Sequence, residues 1–308
     1  MPTPPSVTVD CSTVIVSYDT FALTREAVRS ALEAAPGLRH EVVVVDNDSP
    51  DGSAARLRAA FAGDGRVRVV ESGGNVGFAT ANNVGAGRAS GRVLFFLNPD
   101  TVVHGDAVAR LVAYLDAHPR AGAVGPRVLN ADGTDQASTS PFDTARSIAR
   151  HLLALPAPRP PLDRPARVDV VKGCALALRR EAFEAAGGWD ERYFMYAEEN
   201  ELCLALARAG RQNAFVPGAV VTHIGGAASA DRYAEQQVVA SRSHAAFLRR
   251  HASPALARFH RAGSAAGYGA RALAFRALAR LRPARAADYR RRGDAAAAIW
   301  TWAVFDYP

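Results

Sequence analysis

The stretch "VLFFLNPDTVV", Val93 to Val103, sets five apolar residues ahead of an amide, a proline and a carboxylate. The apolar run predicts a fully buried strand. Pro99 ends it, having no N–H to give a sheet ladder. In an open α/β sheet, ligands bind just beyond the carboxyl ends of strands. Asn98 and Asp100 are then either ligand groups or members of a strand-ending Asx turn.

The flanking sequence decides the fold class. "STVIVS" (12–17) is short, apolar and β-branched; the next segment carries Ala27, Ala31 and Ala34 at helical spacing until Pro36–Gly37 stops it. "EVVVVDNDSPDGS" then holds four consecutive valines, too short and too β-branched for a helix. Strand, helix, strand with both strand faces apolar is the pattern of a buried parallel sheet. A helix from Ser53 to Phe61, the strand "VRVVE" and the Asn/Gly-rich "SGGNVGFATANNVGAG" lead back to Val93. Residues 1–105 thus read as a doubly wound half and 106–229 as a second α/β half. Within the second half, residues 134–167 are polar and proline-dense and predict an irregular surface loop. From residue 230 to 308 the chain is rich in alanine and arginine and helical in character. There "RALAFRALARLRPARAADYRRR" mixes apolar and basic residues as an interfacial helix does, though a solvated helix packing Leu and Phe on a core gives the same pattern.

Composition narrows the function classes. The 308 residues are 49% hydrophobic and 22% charged, ample for a core. The formal net charge is +7, and Lys172 is the only lysine. Cys11, Cys174 and Cys203 match no metal spacing and read as reduced thiols of a cytosolic protein. No N-terminal stretch resembles a signal peptide, and no apolar run reaches the roughly 20 residues of a membrane span. The arginines fall in no RNA- or DNA-reading motif, which argues against a nucleic-acid partner.

Four clusters carry candidate chemistry. Asp46, with Asp48 and Asp51, ends the second strand, where a carboxylate can accept from a base or ribose; turn chemistry explains the same residues. "GGNVGFATANNVG" lacks the dinucleotide fingerprint, yet its small residues and amides, Asn75 and Asn82, suit close approach of a nucleotide. Asp100, and more weakly Asn98, are oxygen ligands for Mg2+ or Mn2+. Finally, "WDERYFMYAEENELCL" and "VTHIGG" interleave carboxylates with aromatics. Glu198 and Glu199 there fit the first turn of a helix, and a partly desolvated carboxylate also suits a general base.

Taken together, in order and spacing over residues 12–228, "TVIVSY", "VVVDNDSPDGS", "NVGFATANN", "FLNPD", "KGCALALRREAFEAAGGWDERYFMYAEENELCLAL" and "VTHIGG" resemble the family-2 glycosyltransferases of the GT-A fold, closest to their rhamnosyltransferase-like branch. The resemblance implies a Rossmann-like, mostly parallel sheet with a C-terminal helical extension. It implies donor contacts from Ser17, Asp46, Asp48, Asn75, Gly77, Phe78, Asn82, Asn98 and Asp100. Asp100 and His223 would hold Mg2+ or Mn2+ under a nucleotide diphosphate. Trp189, Asp190 and Tyr196 would face donor sugar or acceptor, and Glu199 would be the catalytic base, with Glu198 the alternative. The implied reaction is inverting transfer, with dTDP-L-rhamnose as donor and a glycan or polyprenyl-linked hydroxyl as acceptor. That places the enzyme in the cytoplasm, against the anionic inner face of the cell membrane. Two departures stand out: Asn98 replaces the first carboxylate of the DxD motif, and Glu199 replaces an aspartate. A soluble acceptor, a nucleotidyltransferase, or a non-catalytic nucleotide-sugar binder are the rival readings.

Overall fold

The computed structural model describes residues 9–153, 155–156, 158–225 and 233–306. It divides into two compact units. One takes in Met1–Ser140, Arg159–Phe194 and Glu198–Ala228, the other Pro141–Pro158, Met195–Ala197 and Ser229–Pro308. The expected boundary at 229–230 lies outside the described residues; the strand Gln212–His223 before it belongs to the first unit and the helix Tyr233–His251 after it to the second.

In the first unit, β1 (Cys11–Ser17), β2 (His40–Asp46), β3 (Val67–Glu71) and β4 (Val93–Leu97) run parallel in the order β3-β2-β1-β4. Val42 to Val45 are wholly buried, as a strand covered on both faces requires. The helix α1 (Phe21–Glu33) turns Thr24, Ala27, Val28 and Ala31 inward at i, i+3, i+4, i+7. The helix α2 (Ser53–Ala60) buries Leu57, and α3 (Phe78–Arg88) covers the opposite face. Gly85 lets α3 approach closely, since a Cβ there would stand 2.4 Å from Val14 Cγ1.

The sheet continues as β11 (Ala175–Arg179), β6 (Ala121–Leu129), β12 (Gln212–His223) and the edge strand β5 (Thr101–His104). β11 is antiparallel to β4, and β12 is parallel to β6 but antiparallel to β5. Two helices, α4 (Ala107–Ala117) and α7 (Glu198–Arg208), pack on this half. The core joins Ile15, Val44, Phe95 and Leu97 to Leu111, Leu115, Val124 and Val221.

The segment 134–167 is more ordered than its composition predicts. It holds the short strands β7 (Asp135–Gln136), β8 (Thr139–Ser140) and β9 (Ala166–Arg167), and the helix α5 (Ala145–Leu152). A capping box explains that helix start: Thr144 Oγ1 accepts from Ser147 N, and Ser147 Oγ accepts from Thr144 N. In the second unit α5 lies on α9 (Pro254–Leu281), which pairs with α10 (Ala286–Thr301); α8 (Tyr233–His251) completes it. Its core gathers Ala245, Ile299, Trp302 and Ala303.

Candidate active site

The winding runs from β1 out to β3, then returns to the other side of β1 as β4. The carboxyl ends of β1 and β4 thus flank a topological switch point, where α/β sheets bind ligands. Asp46 ends β2, two strand spacings or about 10 Å from β4. Its carboxylate is buried: Oδ1 accepts from Ser49 N at 3.0 Å, and Oδ2 has no partner among the described residues. Sequence reasoning missed its neighbour Asn47, which accepts from Val76 N (3.1 Å) and donates to Asn75 Oδ1 (3.0 Å). Asn47 ties the Asn75 loop to the end of β2. Asp48 is exposed at φ +70°. The side chain of Ser17 is wholly buried and bonded to Thr24 (2.9 Å) and Thr20, so what Ser17 offers at this edge is backbone, not hydroxyl.

Gly77 and Phe78 meet the aromatic loop. Phe78 N donates to Phe194 O at 2.7 Å. Gly77 sits at φ +85°, and a Cβ there would lie 2.5 Å from the same carbonyl. The structure parts company with the expected roles of several neighbours. Asn82 is buried and donates back to Phe78 O within its own helix, so it stabilises the helix start instead of reaching outward. The amide that reaches the aromatic loop is Asn83, the last residue of the Asn75–Asn83 segment expected against the nucleotide. It donates to Trp189 O (2.9 Å) and Glu191 Oε1 (2.8 Å) and accepts from Trp189 N (3.0 Å). Trp189, expected against an acceptor, is 1% exposed and packed edge-on among Phe78, Phe96 and Phe183; it braces the wall from behind. Asp190 engages Arg192 through a side-chain ion pair and its backbone N–H. Tyr196 falls in the second unit and shares with Ala197 a left-handed backbone (φ +68° and +70°) that turns the chain into α7.

Asn98, Asp100 and His223 come together. His223 Nε2 stands 3.2 Å from Asp100 Oδ1 and 3.3 Å from Asn98 Nδ2. On the ring's other side Nδ1 is 2.7 Å from Gln136 Oε1. The Gln136 amide is oriented by donation from its Nε2 to Asn130 Oδ1 (2.8 Å) and His223 O (3.2 Å). Nδ1 therefore carries a proton, which leaves Nε2 to face the carboxylate. A lone pair and an anion at that distance repel unless a proton or cation sits between them. The donor set suits a hard divalent ion that takes its other ligands from phosphate and water. Among the described residues no third His, Cys, Asp or Glu joins it.

Glu198 and Glu199 open α7. Glu198 is buried, and its carboxyl is held well above the ordinary range, first by burial and then by Glu199. Glu199 is partly exposed, and its Oε1 lies 3.4 Å from Lys172 Nζ. The Cys174 thiol is pushed up to about 12, chiefly by burial and then by the charges of Asp100 and Glu199. Geometry joins the two segments at the Gly173–Cys174 turn, where a Cβ built at Gly173 would stand 3.6 Å from Glu199 Cβ. That turn is fixed beside β4, for Asn98 N donates to Cys174 O at 2.9 Å.

Residues 12–187 match the family model described as Glycosyl transferase family 2. An N-acetylglucosaminyl-diphospho-decaprenol L-rhamnosyltransferase of Mycobacterium tuberculosis is 32% identical over 206 residues, 59% of this chain and 66% of that protein. The low-salt glycan biosynthesis hexosyltransferase Agl10 of Haloferax volcanii is 30% identical over 210 residues, 66% of this chain and 62% of its own length. The chain thus spans just under two thirds of these relatives. Among solved structures, the mannosyltransferase PcManGT of Pyrobaculum calidifontis, in complex with GDP-Man and Mn2+, superposes with a TM-score of 0.60 at 18% identity, covering 99% of this chain and 89% of that one. At that identity the likeness speaks for the GT-A fold.

Proposed function

The chain belongs to glycosyl transferase family 2, and on that premise we propose that it transfers L-rhamnose from dTDP-L-rhamnose, with inversion, to a hydroxyl of a glycan or polyprenyl-linked acceptor. The sugar and the acceptor class follow the mycobacterial relative's name. The observation that carries the reaction type is the Gly173–Cys174 turn, bonded to Asn98 beside Asp100 and lying within contact distance of Glu199: one carboxylate suited to a cation and one suited to a proton border a single region.

Asp46, with its unpartnered Oδ2, accepts from the base or ribose of the donor, and the Asn47-braced loop lines that side. Asp100 and the lone pair of His223 Nε2 hold the cation, with Gln136 fixing the tautomer. Mg2+ or Mn2+, bound there, supplies Lewis-acid neutralisation of the charge on the departing diphosphate. Glu199 takes the proton from the acceptor hydroxyl as its oxygen attacks the anomeric carbon; the bond to the diphosphate breaks on the opposite face. Glu198, protonated and buried, adds no second charge beside the base. The acceptor's polyprenyl tail places the reaction at a membrane, and the arginine-rich helices of the second unit fit that setting. Among the described residues no helix is long and apolar enough to cross one.

The test is turnover of dTDP-L-rhamnose, read as dTDP release with and without acceptor. Glu199→Gln is expected to keep the melting shift produced by the donor and to lose turnover by about 10²-fold or more, the scale of a lost general base. Near-normal kcat in that variant removes Glu199 from the role.

A further inference from the structure

Of the 37 basic side chains, all but Lys172 are arginine, and that lone lysine stands against Glu199. We propose that Lys172 is a positioning residue: its ammonium neutralises Glu199 through Oε1 and leaves Oε2 free to take the acceptor's proton. The inference rests on Glu199 being the base.

The geometry prescribes the contact. Lys172 follows β10 (Val170–Val171) and precedes β11. Its N–H donates to Ser138 O at 3.0 Å and its carbonyl accepts from Ala175 N at 3.4 Å, so the stem leaves a fixed backbone. Gly173 beside it lies against Glu199; a Cβ built there would stand in ordinary contact, 3.6 Å from Glu199 Cβ. The other titratable groups acting around Glu199 are Glu198, Cys174 and Cys203. Burial raises all three, and a carboxyl or thiol can carry only negative charge, so none supplies a counter-charge. Lys172 does.

Chemistry explains why this position is not a further arginine. A guanidinium grips a carboxylate bidentately, engaging both oxygens. An ammonium is a point charge that takes one. A base held by a fork would have both oxygens engaged, leaving only their outer lone pairs for the acceptor.

A single lysine makes the proposal readable by mass spectrometry of the whole chain. The first measurement is the rate of acetylation of Lys172, with the N-terminal amine as internal reference. Removing the paired anion in Glu199→Gln is expected to speed acetylation several-fold, and an unchanged rate means there is no pair. The second measurement uses dTDP-L-rhamnose with Mn2+. Lys172→Met is expected to lower kcat about 10-fold or more, a part of the roughly 10²–10⁴-fold that a positioned base contributes, with donor KM within about threefold. Acetylated wild type should behave the same way, while reductive dimethylation, which keeps the charge, should leave kcat near its starting value. In a Glu199→Gln background Lys172→Met should add nothing. Wild-type kcat in Lys172→Met, a loss confined to KM, or equal losses on acetylation and dimethylation each overturn the proposal. Wild-type turnover in Glu199→Gln overturns the base assignment instead, even where the acetylation result shows the pair to exist.

Discussion

Glu198 and Glu199 are adjacent in sequence yet live in different solvents. Glu198 prefers its proton because burial penalises the anion and Glu199 adds repulsion. A folded-state pKa above the unfolded 4.5 means that the folded form binds the proton more tightly. That stabilisation is complete below pH 4.5 and is lost as pH rises toward the folded value. Glu198→Gln, neutral at every pH, is therefore expected to melt at least about 2 °C above wild type at pH 8. The gap should close as the pH approaches 4.5. A gap that is flat with pH would show Glu198 to be ionised in the folded chain. The same residues show where sequence reading stops. Asp46, Asp100, Glu199 and His223 stood out in the sequence because each lies at or just beyond the end of a strand or in the first turn of a helix. Gln136 did not: its partner lies 87 positions away, and nothing local marks it. Lys172 did carry a signal, its solitude among arginines, but composition alone does not say what a residue touches.

Elements position these groups, and the join between α3 and the aromatic loop is the most exacting of them. Gly77 occupies a left-handed backbone with the Phe194 carbonyl where a methyl group would go. Gly77→Ala has to move that carbonyl and so break the Phe78 N–H bond to it. The expected cost is about 1–3 kcal/mol of stability from backbone strain. Donor-induced protection from melting should fall with it, while a substitution at Gly74, where an added Cβ has nothing within 4 Å, should spare both. Equal behaviour of the two variants would detach Gly77 from the site. At this scale the sequence was informative where periodicity was pure. The parallel strands and α1 follow from β-branched runs and helical spacing. The 134–167 segment misled because its prolines and charges outweigh α5, an eight-residue helix whose start depends on a Thr–Ser capping box and whose apolar side lies on α9. Composition registers the prolines; it does not register a reciprocal pair of hydrogen bonds.

Charge is distributed unevenly over the whole molecule. Between residues 254 and 308 ten arginines face three aspartates, a surplus equal to the entire formal net charge of +7. The rest of the chain is formally neutral. On α9 the large apolar side chains Phe259, Leu273 and Leu281 are exposed, with Ala266 and Ala270 exposed between them. Their spacing places them on one face, bordered by Arg258, Arg276 and Arg280. Two copies docking through this face would bring like charges together, whereas an anionic bilayer would neutralise them at about 1 kcal/mol per arginine. Each leucine entering the interface adds about 1.5–3 kcal/mol when fully buried. The chain is therefore expected to float with phosphatidylglycerol vesicles at low salt and to stay behind with phosphatidylcholine alone. Flotation should weaken at 0.5 M salt, where screening shortens the reach of the arginines. Leu273→Asp with Leu281→Asp should cut it by about tenfold or more while leaving dTDP-L-rhamnose hydrolysis in solution intact, since neither residue belongs to the sugar-transfer unit. Equal flotation on neutral and anionic vesicles, or an apolar face that drives dimerisation instead, would separate the basic helices from a lipid-borne acceptor.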